Sequence, residues 1–191
     1  FEVPLNKRII LVGAISLNDT RKGVKYLIES LTILANKLSV EDRENIFLLV
    51  IGNADFRHAV SLPFAAFYTG FLNDDRILAL AYQAADVFVC PSIEDGGPIM
   101  INESIMSGTP VVAFDMGVAP DLVHTGKTGY LAVLKDTGDL AKGIQEIIAL
   151  DEENYNNMSK SCRELGLKVL HPQVQINSFE KLFKHVILSK S

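Results

Sequence analysis

The chain has 191 residues, enough for one domain with a substantial core. Hydrophobic residues make up 48% and charged residues 21%, which excludes a disordered tail, a collagen or a mucin-like stalk. Its 18 basic and 23 acidic residues give a net charge of −5, which argues against a generic nucleic-acid grip.

The first predicted strand is the apolar run from Arg8 to Gly13. An uninterrupted run is what a strand covered on both faces requires. A loop follows, and Lys22-Gly23 is expected to open a helix with Val24, Leu27, Ile28, Leu31, Leu34 and Ala35 on one stripe. The second strand is Ile46 to Ile51, stopped by Gly52-Asn53. At most one or two helical turns, from Phe56 to Val60, fit before a third strand from Ala65 to Thr69, which ends at Gly70. Asn73 or Asp74 caps a helix running to Ala84, and Asp86 to Cys90 is the fourth strand. After the Pro91 to Gly97 loop, Pro98 is placed in the first turn of a helix that Gly108 stops at Ser107. Pro110 to Phe114 is the fifth strand, Asp121 to Val123 a short helix and Gly129 to Ala132 the sixth strand. Helices then start at Asp139, at Glu153 and at Val174.

Alternating short apolar strands and helices predict an α/β fold: an open parallel sheet of about six strands, with helices on both faces as a three-layer sandwich. The link from Gly52 to Phe64 is near the minimum for a parallel crossover. Cys90 and Cys162 form no ligand pair at metal spacing and are too few for a disulfide framework, which points to a reducing compartment. There is no run of 18 apolar residues, and no stretch reads as a signal peptide. Phe1 stands where an initiator Met would, and a strand begins within eight residues, as in a piece of a larger protein.

Open parallel sheets bind ligands outside the carboxyl ends of their strands. The densest loop there runs from Ser92 to Glu103. Gly96 and Gly97 let a backbone approach a ligand, and the following helix offers free N–H groups and a positive end suited to phosphate. Asp95 and Glu103 lie too far apart to share a proton, and a turn whose acids merely cap a helix is an equal reading from physics alone. Lys22 at a helix start is the costlier charge unless it faces a phosphate. The bland alternative is a solvated Arg21-Lys22 pair.

The segment Tyr82 to Ser92, the acids Asp95 and Glu103 separated by seven residues, Ser107 to Ala113, Gly117, Pro120-Asp121, Gly126 to Leu131 and Arg21-Lys22-Gly23 occur in an order that resembles one family. It is the retaining nucleotide-sugar-dependent glycosyltransferases of family 4, with the GT-B fold of two Rossmann-like domains. The resemblance runs from Ile9 to about Ile148. It implies that residues 1–191 are a single Rossmann-like donor-binding domain, the C-terminal half of such an enzyme, without the N-terminal acceptor domain. The last helix, 174–188, would pack toward that missing domain. The resemblance further implies roles. Lys22, helped by Arg21, holds the donor diphosphate, and Asp95 bonds the transferred sugar. Gly96, Gly97 and Pro98 cradle sugar and phosphates, and Ile99 and Met100 add amides. Glu103 binds the ribose, while Gly70 and Phe71 lie near the base.

The implied reaction moves a hexose from a nucleoside diphosphate to an acceptor hydroxyl, in surface polysaccharide or lipid-linked glycan synthesis. No cofactor or metal is implied, and His58, His124, His171 and His185 are scattered. The acceptor would belong to the missing domain, so this chain alone is expected to transfer nothing and to insert into no membrane. The place of action is expected to be cytoplasmic, with the full-length protein peripheral to the inner face of the membrane. Two departures stand out. The first acid is Asp95 where the family usually has Glu, and Ala14 stands where it usually has an arginine. The second favours an alternative, a non-catalytic sugar-nucleotide-binding or regulatory module. A same-architecture epimerase lacks its glycine-loop histidine here. A dinucleotide-binding domain lacks its Gly-x-Gly-x-x-Gly, and a response regulator lacks its acids at the first strand end.

Overall fold

The computed structural model describes residues 3–4, 6–13, 19–52 and 61–188. Six strands form one sheet: β1 Arg8–Val12, β2 Ile46–Ile51, β3 Ala65–Gly70, β4 Val87–Cys90, β5 Val111–Phe114 and β6 Gly129–Ala132. Their order is β3-β2-β1-β4-β5-β6, and every pair is parallel. Among the described residues the helices are α1 Val24–Lys37, α2 Val40–Glu44, α3 Asp75–Gln83, α4 Ile99–Ser107, α5 Ala119–Leu122, α6 Thr137–Ile148, α7 Glu152–Val169 and α8 Pro172–Leu188. The expected open parallel sheet between two helical layers is the one observed.

Strand alternation divides the core in two. Ile10 and Val12 face a layer made by Leu27, Leu31 and Leu34 of α1 and by Leu140, Ile144 and Ile147 of α6. Ile9 and Leu11 face the other layer, with Ala81 and Tyr82 of α3, Ile101 and Ile105 of α4 and Cys162 of α7. Both faces of β1 are therefore dry. Each fully buried Leu or Ile contributes about 1.5–3 kcal/mol relative to exposure.

The differences from the sequence reading have local causes. Lys22 does not open a helix. It closes a single 3-10 turn, Thr20–Lys22, capped by Asp19, and α1 starts only after Gly23. Pro98 is the residue before α4 rather than its first, and α5 begins at Ala119, two residues before Asp121. The short helix α2 was not anticipated. Ser39 caps it, accepting from the Asp42 amide, and it buries no residue, so it has no apolar stripe to read. β2 and β3 do pair in parallel, with a register shift between Val50 and Ile51. Ala14, His58 and the turns expected at 56–60 lie outside the described residues. α8 exposes Phe179, Leu182, Phe183 and Ile187, with the two phenyl rings stacked 6.2 Å apart. Among the described residues no helix is long and apolar enough to cross a membrane.

Gly143 tests how tightly α6 sits on β6. Alanine is worth about 1 kcal/mol more than glycine inside a helix. Here a Cβ would stand 2.5 Å from Tyr130 Cδ1 and 2.7 Å from Cγ. The ring is anchored by its hydroxyl, which donates to Asp139 Oδ1 at 2.6 Å. Overpacking therefore wins, and Gly143→Ala is expected to destabilise the chain by about 1–3 kcal/mol in denaturant unfolding.

Candidate functional site

The chain leaves β1 for α1 on one face of the sheet and leaves β4 for α4 on the other. The connections after these neighbouring strands thus diverge, which opens a crevice at the switch point of the sheet. A cavity of about 300 Å³ occupies it, lined by Gly13 after β1, Cys90 at the end of β4, and Lys22, Asp95, Gly97 and Met100. Pro98 and Ile99 line it as well. A hollow of about 720 Å³ lies at the opposite end of the central strands, beside Lys7, Arg8 and Asp86. That is the amino end of the strands, and Arg8 is already paired with Asp86 at 2.8 Å.

Main-chain contacts hold the crevice walls together. Gly23 is left-handed, at φ 71°, and a Cβ there would lie 1.7 Å from the Pro91 carbonyl oxygen. Only glycine lets the two loops meet so closely. The Ile93 amide then donates to the Arg21 carbonyl at 2.8 Å. On the far side Gly117, at φ 55°, brings its loop against the Asp95 carbonyl, where a Cβ would stand at 2.3 Å.

This lacing brings Lys22 Nζ to 2.5 Å from Asp95 Oδ2, across 73 residues of chain. The Gly97 amide donates to Asp95 Oδ1 at 3.1 Å. The Lys22 ammonium, with that amide, holds the Asp95 carboxyl below its ordinary range despite some desolvation. α4 begins at the same place. Pro98 supplies no side-chain cap, so the first N–H groups of the helix face the cavity without one. Space around Gly96 and Gly97 is open. The Met100 thioether lies over Gly13. Cys90 is buried at the floor, and burial pushes its thiol up, so it stays protonated.

Not every predicted residue reaches this cavity. The Arg21 guanidinium forks onto Asp19, with both contacts at 2.9 Å. Phe71 is 73% exposed and Gly70 ends β3, two strands from β1. Glu103 lies one turn into α4, where its Oε2 accepts from the Tyr82 hydroxyl at 2.9 Å. Sequence reasoning gave Tyr82 no role. Its only signal was its place at the head of the Tyr82 to Ser92 segment, and the partner stands 21 residues away. Among the described residues no three His, Cys, Asp or Glu side chains cluster to hold a metal.

A family model described as glycosyl transferases group 1 matches residues 3–165. A sulfoquinovosyl transferase of Arabidopsis thaliana is 32% identical over 150 residues, 75% of this chain and 28% of that protein. An uncharacterised glycosyltransferase of Methanocaldococcus jannaschii is 26% identical over 168 residues, 83% of this chain and 40% of that one. An N,N'-diacetylbacillosaminyl-diphospho-undecaprenol alpha-1,3-N-acetylgalactosaminyltransferase of Campylobacter jejuni is 28% identical over 185 residues, 95% of this chain and 46% of the other. This chain thus spans less than half the length of these relatives. The solved sucrose-phosphate synthase of Thermosynechococcus elongatus has the same fold, with a TM-score of 0.76 and 23% identity over 98% of this chain and 47% of its own.

Two outcomes test the geometry. Gly23→Ala is expected to cost about 2 kcal/mol or more, since the left-handed backbone alone costs an alanine about 1–2 kcal/mol and the Pro91 contact adds to it. An unchanged melting temperature would refute the close loop contact. Asp95, held below its ordinary value of 3.8 when folded, stabilises the chain above that pH and loses the effect as pH falls through the folded value. The stability advantage of wild type over Asp95→Asn is therefore expected near neutrality and should vanish in acid below the ordinary carboxylate range. An advantage that persists there would contradict the ion pair.

Proposed function

The chain belongs to the group 1 glycosyl transferases, and from that membership we propose that it is the donor-binding half of a retaining hexosyltransferase. The observation that carries the reading is the Lys22–Asp95 contact at the mouth of the switch-point cavity, beside the open N-terminus of α4. An ammonium and free amides suit a diphosphate, and a carboxylate suits sugar hydroxyls. On donor binding Lys22 turns from Asp95 to the diphosphate. Asp95 is released to accept hydrogen bonds from the hexose. As the bond between the anomeric carbon and the diphosphate oxygen breaks, the acceptor oxygen bonds to that carbon and its proton passes to the leaving diphosphate, whose negative charge Lys22 with the amides of Ile99 and Met100 stabilises. The Gly96 to Pro98 backbone cradles the sugar. Glu103 takes the ribose hydroxyls, and Gly70 and Phe71 flank the base.

The acceptor site lies in a further domain, on which α8 packs through its apolar face. This accords with relatives more than twice as long as this chain. The Campylobacter relative, named for a diphospho-undecaprenol-linked sugar, supports a lipid-linked glycan as acceptor. The chain by itself then binds donor and transfers nothing. A second reading, a binding module without transfer, is favoured by Ala14 together with the engagement of Arg21 by Asp19.

Calorimetric titration with UDP, GDP and their hexose conjugates tests the reading. One base series is expected to saturate. Lys22→Ala and Glu103→Ala should each weaken it roughly tenfold or more, as expected for hydrogen bonds that involve a charge. No binding, or binding indifferent to both substitutions, would sink the donor site. Transfer by this chain alone at an enzyme-like rate would sink its assignment as an inactive half.

A further inference from the structure

Glu103 is held by a group outside the cavity. The Tyr82 side chain is completely buried, with its ring edge-on to Phe88 at 5.7 Å. Its main chain is fixed as well, because Thr109 Oγ1 donates to the Tyr82 carbonyl at 2.7 Å. Thr109 is tied in turn to α4. Its carbonyl accepts from Ser104 Oγ at 2.9 Å, and its amide donates to the Ser104 carbonyl at 2.9 Å. The end of α3, the turn leading into β5 and the residue after Glu103 thus form one buried polar knot. The Tyr82 hydroxyl projects from that knot to Glu103 Oε2. Burial, reinforced by the carboxylate, pushes the Tyr82 phenol far up, so it remains a donor.

A buried tyrosine needs one hydrogen-bond partner, and a neutral amide or a carbonyl would meet that need at lower cost than a half-buried carboxylate. Among the described residues Glu103 Oε1 accepts no hydrogen bond, so the pairing leaves one oxygen for a ligand. We infer that Tyr82 is a positioning residue that fixes the Glu103 carboxylate in one orientation to receive vicinal hydroxyls of a ribose. The inference rests on the donor-site reading above and extends it to a residue that touches no ligand. Tyr82 therefore sets selectivity for ribonucleotides rather than general affinity.

The test titrates wild type, Tyr82→Phe, Glu103→Ala and the double variant. The probes are UDP and GDP with the 2′-deoxy and 3′-deoxy form of each. Wild type is expected to favour the ribose form. Tyr82→Phe should weaken that form about tenfold, the scale of a lost hydrogen bond to a charged group, and leave the deoxy forms within about twofold. The double variant should bind no more weakly than Glu103→Ala, because Tyr82 acts through Glu103. Equal weakening of ribose and deoxy forms by Tyr82→Phe would assign Tyr82 a structural role only and overturn the inference. So would an unchanged preference. Wild type that binds without preferring ribose overturns the inference and leaves the donor site standing, whereas wild type that binds no nucleotide overturns both.

Discussion

Everything at the site depends on the chain leaving two neighbouring strands in opposite directions. β1 and β4 are hydrogen-bonded to each other, yet their following helices leave to opposite faces. A parallel sheet with crossovers on both sides must contain one such pair, and a crevice opens where the two connections diverge. The crevice is therefore a property of strand order. The residues around it need only supply charge, amides and room. Lys22 comes from the β1 side and Asp95 from the β4 side, and they meet because the crevice lies between them.

The strands were legible because burial on both faces imposes runs that few other structures need. β2 and β6 begin and end where the sequence places them, at Ile46–Ile51 and Gly129–Ala132. The helices with apolar stripes were legible for the same reason. The misses lie where no burial pattern exists. α2 is a polar single-turn helix, and the Thr20–Lys22 turn is held by an Asp19 cap and by the left-handed Gly23. The candidate site was legible in part. The Asp95–Glu103 spacing and Lys22 can be read along the chain. The Arg21–Asp19 fork competes with a role that only tertiary geometry can weigh, and the Tyr82–Glu103 bond joins two helices whose side chains carry no mark of each other in sequence.

Charge is arranged economically around the crevice. Lys22 and Asp95 neutralise each other, while Cys90 beneath them keeps its proton. The sheet floor is thus apolar, and the charged groups sit only at the rim, where partial exposure lowers the cost of holding them. Glu103 stands apart with a partner of its own, so the two acids have separate electrostatic surroundings although one helix carries the second and begins beside the first.

The walls of the crevice are joined mainly through peptide groups. Gly23 meets the Pro91 carbonyl, the Ile93 amide meets the Arg21 carbonyl, and Gly117 meets the Asp95 carbonyl. Such a frame is indifferent to most side chains in its own loops. Substitutions at exposed positions such as Glu94 or Ile99 can alter what the rim recognises without moving the rim. The frame concentrates its mutational fragility at two glycines and leaves the surrounding loop free to vary, so one backbone shape can carry different side-chain chemistry at its rim.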